Sequence, residues 1–98
     1  MMDRIYLIDL YDIYSDLLND KQKSYFENYY FDNLSLGEIS ENLGVSRNAI
    51  HKELKLVETK LKDYESKLEL HKKNTKLKSI ICEIEDEELK KKLEKLSW

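Results

Sequence analysis

The 98-residue chain contains no proline, two glycines (Gly37 and Gly44), one alanine (Ala49) and one cysteine. Without proline or recurrent glycine it is neither collagen-like nor a flexible linker, and it lacks the turn residues of an all-β chain. The lone Cys82 cannot close an internal disulfide, which points to a reducing compartment. His51 and His71 show no metal-ligand spacing with it, so no metal is expected. There is no paired-carboxylate motif, no nucleophile beside a base and no phosphate-cradling glycine loop, so neither catalysis nor a cofactor is expected. Long hydrophobic runs are missing too. Met1–Leu18 is interrupted by Asp3, Asp9, Asp12 and Asp16 and has no small-residue cleavage site, which argues against a signal peptide and a membrane span. The expectation is a cytoplasmic protein forming one domain over 1–98, with a helical core at 3–56 and a helical extension at 57–98.

Charge is abundant but uneven. The net charge is −3, from 17 basic and 20 acidic residues, which excludes a uniformly basic coat but not a local basic face. Residues 1–32 hold three basic and seven acidic groups, whereas residues 47–78 hold ten basic and five acidic ones. The basic segment inside an acidic chain is the one most suggestive of function.

The periodicity is helical throughout, and no segment alternates as a strand does. A first helix is expected over about Asp3–Leu18, apolar over a wide arc except for a wet stripe of Asp9, Asp12 and Asp16. Part of the cover for that arc could come from a second subunit. Asn19 and Gln22 read as the start of a second helix that runs to about Phe31. Its tyrosines, like those of the first helix, fall at core or interface spacing rather than in a base-stacking pattern. Ser35 and Glu38 form a capping-box signature, Gly44 ends the third helix and Ser46 caps a fourth. The fourth should be long, about Arg47–Lys72, with a heptad-like seam of Ile50, Leu54, Val57, Leu61, Tyr64 and Leu68. Charge pairs such as Glu58–Lys62, Asp63–Lys67 and Glu69–Lys73 lie on its outer face. A break at Asn74–Thr75 and a cap at Asp86 give two short terminal helices, and His71 is placed as an exposed residue near a helix end.

Leu36 to about Leu56 has the spacing of a helix-turn-helix. Ile39 and Leu43 face inward on its first helix, Ser40 is small at the crossing, Gly44 turns, Val45 plugs the turn, and Ile50 and Leu54 face inward on the second helix. An αα-corner that touches no DNA is the alternative. If double-stranded DNA is the partner, the outward residues at the start of the fourth helix are Arg47, Asn48, His51, Lys52 and Lys55. Arg47 suits guanine, Asn48 suits adenine, and the two lysines suit phosphates. Glu53 lies among them and would oppose binding. The wide apolar arc and the seam also lead us to expect a homodimer.

Several stretches carry a resemblance: Leu17–Gln22, Tyr29–Tyr30, Leu34–Ile39, Val45–Ile50 and, later, Asp63–Leu68. From Tyr14 to about Leu70 the sequence resembles the YlxM family, small bacterial proteins with a helix-turn-helix similar to region 4 of sigma-70 factors. The resemblance implies an all-α, sigma-70 region 4-like (more broadly, winged-helix-like) fold and a DNA-binding regulatory role. It also implies a link to the signal recognition particle, either beside DNA binding or instead of it, as an acidic accessory factor of the particle's GTPase. This chain departs from the family pattern in Asn19 where Thr is usual, in Asn33 for a common Asp, and in His51–Lys52 for a pair that is more often Tyr–Asp. The last change adds positive charge to the recognition helix.

Overall fold

A computed structural model describes residues 4–97. Among them are six α-helices and no strand: α1 (Arg4–Tyr14), α2 (Asp20–Tyr30), α3 (Leu36–Leu43), α4 (Arg47–Leu68), α5 (Leu70–Cys82) and α6 (Glu87–Glu94). The all-α reading therefore holds. The start expected for the first helix at Asp3 lies outside the described residues. Its end differs from expectation: α1 stops at Tyr14, and Ser15–Leu17 tighten into a 3₁₀ turn before Leu18 goes extended.

The caps explain the next boundaries. Asn19 accepts from the Gln22 N–H at 2.8 Å while the Gln22 side chain accepts from the Asn19 N–H at 3.1 Å. At the far end of α2, Asn33 takes a left-handed backbone with φ of 56°, a conformation Asn tolerates better than most residues. The Arg4 guanidinium reaches across from α1 and donates to the Tyr30 carbonyl and to Asn33 Oδ1, at 2.5 and 2.6 Å. It thus supplies positive charge where the α2 carbonyls end unpaired.

The core lies where α1, α2 and α3 pack on α4. Leu7, Leu10, Tyr11 and Tyr14 of α1 meet Tyr25, Phe26 and Tyr30 of α2, with Ile39 from α3. Tyr11 and Phe26 stack nearly parallel, 4.3 Å between ring centroids. From α4 the buried residues are Ile50, Leu54, Val57, Leu61 and then Glu65. The expected seam runs on as far as Tyr64, which is half-buried against the core with its ring 5.8 Å from that of Tyr14, but not to Leu68, which is exposed. A straight helix of 3.6 residues per turn drifts off a strict heptad, so the stripe passes to Glu65. The expected inward face of Leu43 is also overturned, since that side chain is exposed at the end of α3.

The break after α4 comes earlier than Asn74–Thr75. It falls at Glu69, whose backbone is left-handed with φ of 52°. The cause is a long-range cap. The buried Glu65 carboxylate accepts from the backbone N–H of His71 at 3.0 Å and of Lys72 at 3.1 Å, and from the Tyr14 hydroxyl at 2.6 Å. Tyr14 Oη in turn accepts from the Leu70 N–H at 3.2 Å. The first donors of α5 are thereby satisfied by side chains of α4 and α1 rather than by a local cap. Burial pushes the Glu65 carboxyl up, but these hydrogen bonds together bring it below the usual carboxylate range. His71 is half-buried rather than exposed: its ring packs edge-on against Tyr6 and lies 3.5 Å from Asp9.

The remaining helices form an arm. The molecule measures 54 × 25 × 23 Å with a radius of gyration of 16.9 Å, against about 13 Å for a compact chain of this size. Two charge pairs expected on α4 and beyond are replaced by other partners. Glu58 pairs with Lys55, not Lys62, and Glu69 with Lys72, not Lys73, whereas Asp63–Lys67 forms at 3.0 Å.

Candidate nucleic-acid interface

Three residues, Gly44 to Ser46, separate α3 from α4. Each end of this turn is chemically specified. The Ser35 hydroxyl accepts from the Glu38 N–H and the Glu38 carboxylate accepts from the Ser35 N–H, both at 3.1 Å, so α3 starts in a full capping box. Gly44 ends it with φ of 67° and ψ of 31°, and its N–H donates to the Ser40 carbonyl at 2.9 Å. Only glycine takes that left-handed conformation without steric cost. The Ser46 hydroxyl then accepts from the Ala49 N–H at 3.1 Å and opens α4. Ile39 and Ile50 are fully buried and clamp the two helices together, with Ser40 and Val45 half-buried beside them.

The structure separates the five candidate contacts into two groups. Asn48, Lys52 and Lys55 lie three and four residues apart on one exposed stripe of α4. Among the described residues, Asn48 and Lys52 have no ion pair or side-chain hydrogen bond, and Lys55 has only Glu58, at 3.7 Å. Arg47 lies around the helix from that stripe, and His51 sits at its edge, one turn before Lys55. Arg47 folds back over α3: a Cβ placed on Gly37 would come within 2.7 Å of its Nη2. His51 is exposed and faces a groove of about 350 Å³ shared with Arg4, Tyr29, Tyr30, Lys55, Glu58 and Lys62.

Glu53 was the acidic residue expected to oppose an anion. It turns toward α2 instead, where its carboxylate accepts from Gln22 Nε2 at 3.1 Å and lies 3.7 Å from Lys21 Nζ. Its charge is thus half-buried against a cation and an amide donor, off the exposed stripe. Glu58 is engaged likewise, accepting from the Tyr30 hydroxyl at 2.8 Å. Burial and then this hydrogen bond hold the Tyr30 phenol well above its ordinary pKa.

Local spacing could not reveal two further features. Lys21 at the start of α2 joins Lys52 and Lys55 around a shallow depression that Val45, Ala49 and Leu56 also line, with Glu53 at its edge beside Lys21. Lys21 is 31 residues from Lys52, and only the packing of α2 on α4 brings them together. The signal available was the capping box of Asn19 and Gln22, which orients that helix start. Ala49 and Leu56 are exposed apolar groups flanking the Asn48–Lys52 stripe. Apolar groups at such positions suit thymine methyls in a major groove.

Among the described residues no grouping of His, Cys, Asp or Glu could hold a metal ion, and no helix is long and apolar enough to cross a membrane. Cys82 is exposed and free.

Comparison with known proteins agrees with this geometry. Residues 1–97 match the model of the UPF0122 family, described as "Putative helix-turn-helix protein, YlxM / p13 like". The chain is 44% identical over 82 residues to a UPF0122 protein of Geobacillus sp. (strain WCH70), covering 84% of this chain and 74% of the relative. It is 45% identical over 86 residues to one of Bacillus velezensis, covering 81% and 78%. A third, from Bacillus thuringiensis (strain Al Hakam), is 45% identical over 94 residues, covering 87% and 86%.

Proposed function

As the chain belongs to the UPF0122 family of helix-turn-helix proteins, we propose that it is a non-enzymatic regulator that binds double-stranded DNA as a homodimer in the cytoplasm. The carrying observation is the exposed stripe of Asn48, Lys52 and Lys55 just after a capped helix-turn-helix, with Glu53 turned off it onto Lys21 and Gln22. In this reading the start of α4 enters the major groove. Asn48 reads adenine, and Lys52, Lys55 and Lys21 take phosphates. Arg47 leaves its place over Gly37 to reach a guanine, and His51 borders the contact. The two α4 helices of a dimer would then lie ~34 Å apart, one turn of duplex.

The test is fluorescence anisotropy with mixed-sequence duplex DNA over a series of salt concentrations. Affinity is expected to fall steeply with salt, and the Lys52→Ala, Lys55→Ala double variant to flatten the log–log slope by roughly two. Absence of binding at low salt, or an unchanged slope in the variant, refutes the proposal.

A second reading is favoured by the net charge of −3. The chain would then be an accessory factor that docks on the signal recognition particle and modulates its GTPase without touching DNA. Pull-down with the particle's GTPase and RNA, together with GTP hydrolysis rates, tests it. No association and no rate change would count against it.

A further inference from the structure

The sequence placed the dimer contact on the apolar arc of α1 or the seam of α4. Both surfaces are largely used up inside the chain: Leu7, Leu10, Tyr11 and Tyr14 are buried against α2 and α4, the α4 stripe is core as far as Leu61, and of α1 only Ile5 at its start is a strongly exposed large apolar residue among those described. The apolar surface left uncovered at the far end of the molecule is on the arm. Ile80 is 49% exposed, Leu89 46% and Leu96 74%.

Helix α6 is the sharper case. It has eight residues and none is buried. Isolated helices shorter than roughly 12–15 residues are marginal in water, so most helical stability has to come from a packed apolar face. Among the described residues α6 packs chiefly along α5. Leu89, Leu93 and Leu96 recur at four and three residues and so share one face, which α5 covers in part: Leu93 is half-buried while its two neighbours are exposed.

The charges along that face say what covers it. On one flank of the leucine stripe stand Glu88 at the N-terminal end and Lys92 and Lys95 at the C-terminal end, with Glu85 just before the cap; Glu88 and Lys92 also lie 3.7 Å apart within the chain. Asp86 caps the helix by accepting from the Glu88 and Leu89 N–H groups, so it is already engaged. A stripe that is acidic at one end and basic at the other is complementary to itself when reversed. We propose that a second copy of this chain covers the arm, with the two α6 helices antiparallel about a two-fold axis. Leu89 and Leu96 interleave, and the acidic end of each helix lies along the basic end of the other. Helix α6 is only ~12 Å long, so the helix pair alone falls well short of the ~800 Å² per partner of a standard interface. Ile80 of α5 extends the contact, and the dimer is of the weak, concentration-dependent class. This inference rests on the homodimer reading and not on DNA as the ligand.

Sedimentation equilibrium of the full chain tests it, with DNA anisotropy measured in parallel so that the two readings can fail separately. Wild-type chain should populate a dimer of twice 11.8 kDa. Leu96→Glu, a change at a mostly exposed side chain, should leave the helical circular dichroism intact and remove the dimer. The E85K/E88K variant and the K92E/K95E variant should each weaken self-association by roughly tenfold, since four exposed charge pairs are reversed per dimer. Mixing these two variants should restore association as a heterodimer, which no other surface would produce. A monomer at all concentrations, a dimer indifferent to Leu96→Glu, or failure of the mixed variants to pair overturns the proposal.

Discussion

Removing the Glu65 carboxylate should detach α5 from the core. In Glu65→Ala, three donors lose their acceptor at once: the Tyr14 hydroxyl and the N–H groups of His71 and Lys72. A hydrogen bond to a charged group contributes ~1.5–3 kcal/mol when buried, and a lost helix cap ~0.5–2 kcal/mol. The bonds are coupled and partly reached by water, so they do not add in full, and ~3–4 kcal/mol is the expected loss. Against a typical stability of ~5–15 kcal/mol that is a large fraction. Glu65→Gln separates the contributions. Its amide oxygen can keep the two bonds made by Oε1, while its NH₂ would confront the Lys72 N–H that Oε2 accepts, so ~1–2 kcal/mol is expected.

Urea unfolding followed at 222 nm measures both losses, and amide exchange of Leu70, His71 and Lys72 locates them. The pH dependence follows from the same contacts. The folded carboxyl is held below its ordinary 4.5, so Glu65 contributes stability above that value and loses it as pH falls through the lower folded pKa. Glu65→Gln should therefore flatten the acid side of the stability profile below about pH 4.5. A loss under ~1 kcal/mol in Glu65→Ala, or equal losses in the two variants, would show that the capping argument is wrong.

Two further outcomes check the fold. Gly44→Ala should cost about 1 kcal/mol or slightly more by urea unfolding, because nothing lies within 4 Å of an added Cβ and only the left-handed φ of 67° penalises it. A loss of several kcal/mol would mean that the turn is packed rather than open. The phenols of Tyr11 and Tyr14 are raised from 10.0 to about 12, in each case mainly by burial and then by an acidic neighbour, Glu27 and Glu65 respectively. Being raised, they contribute stability that is complete below pH 10 and lost as pH rises through about 12. Absorbance at 295 nm should show these two tyrosines ionising together with alkaline unfolding; ionisation near pH 10 in a folded chain would contradict their burial.

Most of the fold was legible because its boundaries are written in short-range chemistry. Asn19 with Gln22, Ser35 with Glu38, Gly44, Ser46 and Asp86 each act within four residues of themselves, and each makes the backbone contact that its type and position suggest. The α4–α5 break was not legible for the opposite reason. Glu69 carries no turn signature, and its left-handed backbone depends on Glu65 and on Tyr14, the latter more than fifty residues earlier in the chain. Asn74–Thr75, which has the local look of a break, sits inside α5, where Asn74 is buried. Likewise the leucine at 68 continues a heptad on paper, but a straight helix rotates it out of the core.

The same division governs the candidate interface. The stripe of Asn48, Lys52 and Lys55 follows from helical spacing once Ile50 and Leu54 are placed inward, and that needs no tertiary knowledge. Whether an anion can approach it depends on Glu53, and on a helical wheel Glu53 is simply a negative charge beside the lysines. Its actual direction is set by Gln22, which is fully buried. The capping box turns the Gln22 oxygen back to Asn19, which leaves its amide nitrogen to donate to Glu53. One residue thus starts α2 and draws the acid away from the recognition stripe, and Lys21 beside it adds a cation at the edge. The basic character of the face is therefore a property of the packed α2–α4 pair rather than of α4 alone. Loosening that pair would return Glu53 to the lysines and weaken the face electrostatically before it damaged the helix-turn-helix itself.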